Sequence, residues 1–274
     1  MEGYLRRKGK RINAMTRCRY DTMPFEEGEY IFLADDEKRY WIRVSYGMMS
    51  VPSLGSVDGN KFRDADDGHS VTIAGKEFTA FRPGTVDLIG SLERGAQIIG
   101  AKDAASIIMN CDIKCGDSVL EIGAGSGSLT TALIGAVAPD GCVHTVEFRE
   151  DHASRAAKNI KRTGLDKYWT CQIGDARNVD VDVKADALIM DMPDPWSALD
   201  NLEKNLRSGG RLCAYVPNIN QLELTVTALR ERRYYDVRAA ELLERGLEVH
   251  PGGVRPAFQM LGHTGYLIFG RKRT

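Results

Sequence analysis

The segment Val119-Leu-Glu-Ile-Gly-Ala-Gly-Ser-Gly-Ser-Leu-Thr130 sets three glycines at alternate positions directly after an apolar run, and the next apolar run closes on Glu147. Glycine is required where a backbone takes positive φ or touches a ligand, because a Cβ blocks both. Residues 118–122 read as a buried parallel strand, Gly123, Gly125 and Gly127 as a tight turn, and residues 129–137 as the helix that follows. A dinucleotide fingerprint needs glycine at the sixth position, where this chain has Ser128, so a pyrophosphate cradle is disfavoured. Glu147 lies twenty residues beyond Gly127, where an acid at a strand end accepts the hydroxyl protons of a ribose. A nucleoside-containing cofactor fits this pattern. A turn that merely joins strand to helix is the competing structural explanation.

Further carboxylates close the later apolar runs. Asp175, in Ile173-Gly-Asp-Ala, can accept from the exocyclic amine of an adenine or simply cap a turn. In Ile189-Met-Asp-Met-Pro-Asp-Pro-Trp196, Asp194 precedes a proline suited to the first helical position, which makes Asp194 the expected N-cap of a helix over residues 196–206. Asp191 has no such duty, is followed by two prolines that stiffen the backbone, and is assigned the reaction. The tetrad Asn-Pro-Pro-aromatic, which holds a planar amino group for reaction at that nitrogen, is absent, so a ring nitrogen is the expected substrate atom.

These residues need a scaffold, and the pattern supplies one. From Val86 onward helical runs alternate with apolar strands at 118–122, 142–148, 169–173, 187–191 and 211–216, followed by a helix over 221–233 and strands near 235–243 and 265–270. That alternation predicts an α/β fold, a doubly wound and mostly parallel sheet whose ligand lies at the carboxyl ends of its strands. Between Gly28 and Phe81 short alternating runs (Tyr30-Ile-Phe-Leu, Tyr40-Trp-Ile-Arg-Val, Val71-Thr-Ile) predict a small β-domain. The expected division is a basic, disordered arm at 1–24, the β-domain at 25–84 and the sheet domain at 85–274.

Composition narrows the classes further. With 274 residues and 43% apolar content the chain can bury a substantial core, and no apolar run approaches the roughly 20 residues that span a bilayer. A soluble, cytoplasmic protein is expected. Six cysteines include no C-x-x-C pair, Cys111 and Cys115 have no second pair to complete a zinc site, and five scattered histidines offer no ligand spacing, so no metal is expected. The net charge of −1 hides seven basic residues against one acid in residues 1–20, which leaves the body acidic at −7. A nucleic acid would then have to meet local patches such as Arg230, Arg232 and Arg233 or the tail Arg271-Lys272-Arg273, although clusters of this kind are more often solvated helix ends or tails.

With these motifs in place, residues from about Phe25 to Lys272 resemble the archaeal and bacterial tRNA (adenine-N1)-methyltransferases that modify T-loop adenosine 58, and in archaea often 57. The narrowest matches are Arg94-Gly-Ala-Gln97-Ile-Ile leading into Lys102-Asp103-Ala-Ala, the Glu121 to Thr130 loop, Asp191-Met-Pro, Val216-Pro-Asn-Ile-Asn-Gln221, and Arg255-Pro followed by His263-Thr-Gly-Tyr. The resemblance implies S-adenosylmethionine as donor, tRNA as substrate, a homotetramer, and a site lined by Gln97, Glu121, Gly123, Gly125, Gly127, Ser128, Leu129, Thr130, Glu147, Asp175 and Asp191. Gly100-Ala101 replaces an aromatic-Pro or His-Pro pair of many members, with Tyr215 the candidate to supply a ring instead. The rivals are a protein isoaspartate methyltransferase, which shares the glycine loop but leaves Asp191-Met-Pro-Asp-Pro unexplained, and a non-catalytic RNA-binding subunit, against which the retained glycines, Glu147 and Asp191 argue. A dehydrogenase is disfavoured by Ser128.

Overall fold

The computed structural model describes residues 23–93 and 98–274, which divide between Arg82 and Pro83 into two units. The expected arm at 1–24 falls almost wholly outside the described residues, as does Gln97.

The first unit is antiparallel. Strands β1 (Tyr30–Ala34), β2 (Arg39–Arg43), β3 (Met48–Val51), β4 (Gly55–Asp58), β5 (Ser70–Ile73) and β6 (Lys76–Phe81) form a sheet in the order β2-β1-β6-β5 and a separate hairpin of β3 with β4. Their inward residues, among them Ile31, Leu33, Ile42, Val57, Val71 and Phe78, close over Phe25 and Phe62. Hairpin β3–β4 has no alternating apolar run to announce it, so the sequence pattern misses it.

The second unit carries the sheet that positions the site. In chain order it holds α1 (Thr85–Ser91), α2 (Ala101–Asn110), β7 (Ser118–Ile122), α3 (Ser128–Val137), β8 (Cys142–Glu147), α4 (Glu150–Thr163), β9 (Trp169–Ile173), β10 (Ala185–Asp191), α5 (Pro195–Leu202), β11 (Leu206–Val216), α6 (Ile219–Glu231), β12 (Tyr235–Glu241), β13 (Leu247–His250), β14 (Gly253–Pro256) and β15 (Tyr266–Arg271). Seven strands lie in the order β12-β15-β11-β10-β7-β8-β9, parallel from β9 to β11, with β15 antiparallel to both β11 and β12. The chain runs outward from β7 to β9 and then returns to the other side of β7 with β10, so the crevice between the carboxyl ends of β7 and β10 is the switch point where such sheets bind ligands.

Alternation along the strands builds a core on each face. Ala187 and Ile189 of β10 join Val119, Leu133 and Ile107 on one face, while Leu188 and Met190 join Leu120, Leu199 and Leu229 on the other. One boundary differs from the sequence expectation. The helix expected to run to residue 206 stops at Leu202, and β11 starts at Leu206. Buried Asn205 ends it by donating to the carbonyls of Val181 (2.6 Å) and Val183 (2.9 Å), and the register shift between Ala185 and Ala187 absorbs Gly209-Gly210 inside the strand. Leu188 is fully buried in the central strand. Leu188→Ala is expected to lower the unfolding free energy by about 3 kcal/mol in urea titrations, because both transfer energy and cavity energy are lost; a change below about 1 kcal/mol would mean that the strand does not anchor the core.

Candidate active site

At the switch point, Gly123 and Asp191 meet backbone to backbone. Gly123 has φ +91°, and a Cβ built there would lie 2.2 Å from the Asp191 carbonyl oxygen, so only glycine permits the approach. Gly125, with φ +53°, has open space where its Cβ would project. Gly127, with φ +82°, packs instead against Ala156 and Ile160 of α4. The three glycines therefore serve three ends: contact with β10, an open cradle and helix packing.

A cleft of about 610 Å³ opens beside this turn, lined by Gly123, Gly125, Glu147, Asp175 and Asp191 together with Phe148, Arg149, Arg177 and Met192. A second cavity of about 220 Å³ shares Asp191, Met192 and Pro193 with it and adds Ile99, Tyr215, Pro217 and Gln221. Asp191 thus stands where two cavities meet. Burial, with the negative charge of Glu147 added to it, raises the Asp191 carboxyl to about 7.

Glu147 braces the loop. Its Oε2 accepts from the backbone N–H of Ala124 (2.8 Å) and Gly125 (3.2 Å), and its Oε1 accepts from Arg149 N–H (2.9 Å), which leaves Oε1 capacity for a hydroxyl donor. Asp175 both faces the cleft and caps its turn. It accepts from the backbone N–H of Arg177 (3.0 Å) and from its guanidinium (2.8 Å), and these bonds hold its carboxyl below the usual carboxylate range. Asp194 occupies the N-cap position of α5, but its carboxylate accepts from the Ser197 hydroxyl (2.7 Å) rather than from a helix N–H.

Five residues expected to contact the cofactor do not line the cleft. Glu121 is buried beneath the loop, its Oε2 accepting from the hydroxyls of Thr130 (2.8 Å) and Thr145 (2.6 Å) while its Oε1 has no hydrogen-bond partner. Ser128 donates to the Ile99 carbonyl (2.8 Å), tying α3 to the segment that borders the second cavity, and Leu129 packs in the core. Gly127 joins them in supporting the loop from behind. Two of the three tail cations are also committed, since Lys272 donates to the carbonyls of Glu203 (2.6 Å) and Leu206 (2.8 Å) and Arg271 to that of Gly209 (3.0 Å).

Some of the cavity residues carry little signal in the sequence. Phe148 and Arg149 follow the end of β8 by one and two residues and Arg177 follows the end of β9 by four, positions that mean something only once the strands are known to end at a cleft. Gln221 was legible. Its Oε1 accepts from Asn218 N–H (3.1 Å) at the start of α6, the Asn-x-x-Gln spacing of a helix start, while its Nε2 donates to Pro193 O (2.8 Å) and fixes the loop after Asp191.

Comparison with known proteins agrees with this geometry. The family model described as "tRNA methyltransferase complex GCD14 subunit" matches residues 88–255. The chain belongs to that family. A relative in Methanocaldococcus jannaschii, named tRNA (adenine(57)-N(1)/adenine(58)-N(1))-methyltransferase TrmI, is 32% identical over 270 residues, covering 88% of this chain and 94% of the relative. A tRNA (adenine(58)-N(1))-methyltransferase TrmI of Thermus thermophilus is 31% identical over 80% of this chain and 86% of its own. Among solved structures, the tRNA (m1A58) methyltransferase TrmI of Aquifex aeolicus superposes with a TM-score of 0.72 at 27% identity, over 92% of this chain and all of the other. A SAM-dependent O-methyltransferase of Thermotoga maritima superposes with 0.77 at 30% identity, over 92% and 95%. The mostly parallel sheet flanked by helices, with a small β-domain earlier in the chain, is the fold class expected from the strand alternation.

Burial raises the Glu121 carboxyl to about 8, against the hydrogen bonds from the two threonines, so it is protonated in the folded chain at neutral pH. The folded state then holds a proton the unfolded chain has lost, and stability falls as pH rises from the unfolded carboxylate range toward 8. Glu121→Gln keeps the shape without the charge. Its melting temperature relative to the parent is expected to rise steadily between pH 5 and pH 8, and a difference independent of pH would show that Glu121 does not titrate in that window.

Proposed function

We propose that this chain transfers a methyl group from S-adenosylmethionine to N1 of an adenosine in the tRNA T-loop, at position 58 or 57, as named for its archaeal relative. The single observation that carries the reading is the place of Asp191 at the junction of the two cavities. The residues fit the donor. An open glycine at Gly125, an acid braced under the loop at Glu147 and a second acid at Asp175 suit a nucleoside that carries a cation. Gly123, Gly125, Glu147, Asp175 and Asp191 would hold it, and when bound it supplies an electrophilic methyl group.

The rest of the chemistry falls to the chain's own side chains. N1 of adenine carries a lone pair in the ring plane, so attack needs no prior deprotonation, and positive charge develops on the ring. An ionised Asp191 accepting from N6–H directs electron density toward N1, stabilises the charged ring and can take a proton from it. Tyr215, Ile99, Met192 and Pro217 line the second cavity with apolar surface suited to a flat purine. A T-loop base is buried in folded tRNA and must be extruded to enter, at about a few kcal/mol.

Assembly is part of the proposal. Beyond β12 the hairpin β13–β14 exposes Leu247, Val249 and Val254, and the segment after it exposes Phe258 and Leu261. Apolar surface of this kind marks an interface, which supports a homotetramer of this chain. Light scattering is expected to give four copies for the parent and fewer for Leu247→Lys with Val249→Lys; a monomeric parent would refute the assembly.

Asp191→Asn tests the chemistry. It is expected to lose about 100-fold or more in kcat, with a much smaller loss of S-adenosylmethionine affinity because Gly123, Gly125, Glu147 and Asp175 still hold the donor. In the parent, kcat/KM for tRNA is expected to fall as pH drops through the ionisation of Asp191, because only the carboxylate both accepts from N6–H and offsets the positive charge developing on the ring. Near-parental activity of Asp191→Asn would remove Asp191 from the reaction.

A further inference from the structure

The motif residues Lys102, Asp103, His263 and Thr264 touch neither cavity, yet they converge behind the second one. Asp103 is fully buried in the first turn of α2, where the helix dipole favours a carboxylate. Lys102 Nζ donates to both Asp103 oxygens (2.9 Å each) and to Thr264 Oγ1 (2.7 Å), and Thr264 Oγ1 donates to Asp103 Oδ2 (2.9 Å). The hydroxyl is thus clamped from both sides. Its own backbone carbonyl accepts from the phenol of Tyr215, and that ring lies so close to Gly265 that a Cβ there would sit 2.4 Å from Cζ. One residue earlier, His263 bonds through Nε2 to the Pro217 carbonyl (2.9 Å) and through Nδ1 to Glu241 (2.7 Å). Both acceptors are satisfied by an imidazolium. Tyr215 and Pro217 are cavity residues, and Tyr215 is the register partner of Asp191.

We infer that the Lys102–Asp103–Thr264 clasp is a positioning device for the base slot, fixing the Tyr215 phenol beside Asp191 and so setting how the purine is presented. The inference rests on the reading of the second cavity as the adenine site. A buried ion pair contributes little net stability once its desolvation is counted, and what it supplies is a fixed geometry. Here that geometry is delivered through one hydroxyl to one carbonyl and so to one phenol. Lys102, Asp103 and Thr264 act through Tyr215 and are positioning residues, not catalytic ones.

The test is a double-mutant cycle in the full-length chain. Thr264→Val and Thr264→Ser are made in the parent and in Tyr215→Phe, and each protein is assayed for S-adenosylmethionine affinity and for kcat and KM on unmodified tRNA. Thr264→Val is expected to lose about tenfold in kcat/KM for tRNA with cofactor affinity kept within about twofold, and Thr264→Ser to restore it. In the Tyr215→Phe background the same substitution is expected to cost about twofold or less, because the bond it acts through is gone. Equal losses in both backgrounds, loss of cofactor binding in parallel with activity, or parental activity of Thr264→Val would each overturn the clasp. A parent chain that binds the cofactor but forms no 1-methyladenosine would bring down the reading of the site itself, and the clasp with it.

Discussion

The contact on which the site depends is the approach of Gly123 to the carbonyl of Asp191. A parallel sheet holds neighbouring strands at a fixed spacing, but it does not by itself bring the turn after one strand against the last residue of the next. The missing Cβ at Gly123 allows this, and it ties the glycine loop at the larger cleft to the acid that also faces the smaller cavity. Much else follows from keeping that meeting point rigid. Glu147 braces the loop from β8, Gln221 holds the Pro193 carbonyl from α6, and Ser128 ties α3 to Ile99.

The electrostatics of the site follow from the same crowding. Burial raises the carboxyls of Glu121 and Asp191, and the nearby charge of Glu147 adds to the rise at both. The two carboxyls that are raised respond differently to their surroundings. Glu121 is sealed in and acts as a neutral hydrogen-bonding spacer under the loop, whereas Asp191 faces two cavities and can exchange its proton. A cation bound in the larger cleft would favour the ionised form of Asp191, so filling that cleft would prepare the acceptor that the smaller cavity needs.

Much of this was legible in the sequence, and the limits have physical causes. Strand identities in the second unit came from apolar runs ended by glycines and acids, and Glu147, Asp175 and Asp191 all line the cleft as their places at strand ends required. The loop was harder to read. Spacing identifies Gly123, Gly125 and Gly127 as one motif, but only the fold separates the one that meets β10 from the one that faces the cleft and the one that meets α4. Glu121 and Thr130 sit inside a motif and so read as ligands, although Thr130 donates to the Glu121 Oε2 beneath the loop. Long-range partners were the least legible. Nothing near Lys102 in the chain announces Thr264, because the bond spans 162 residues and exists only when α2 and the start of β15 are brought together.

The central claim is that a carboxylate beside the purine's amino group leaves N1 as the atom that reacts. Nucleoside mass spectrometry of tRNA incubated with the purified chain and isotopically labelled methyl donor tests it most directly. The predicted result is label in 1-methyladenosine within the T-loop. Label on the exocyclic amine or on a ribose oxygen, with none at N1, would contradict it.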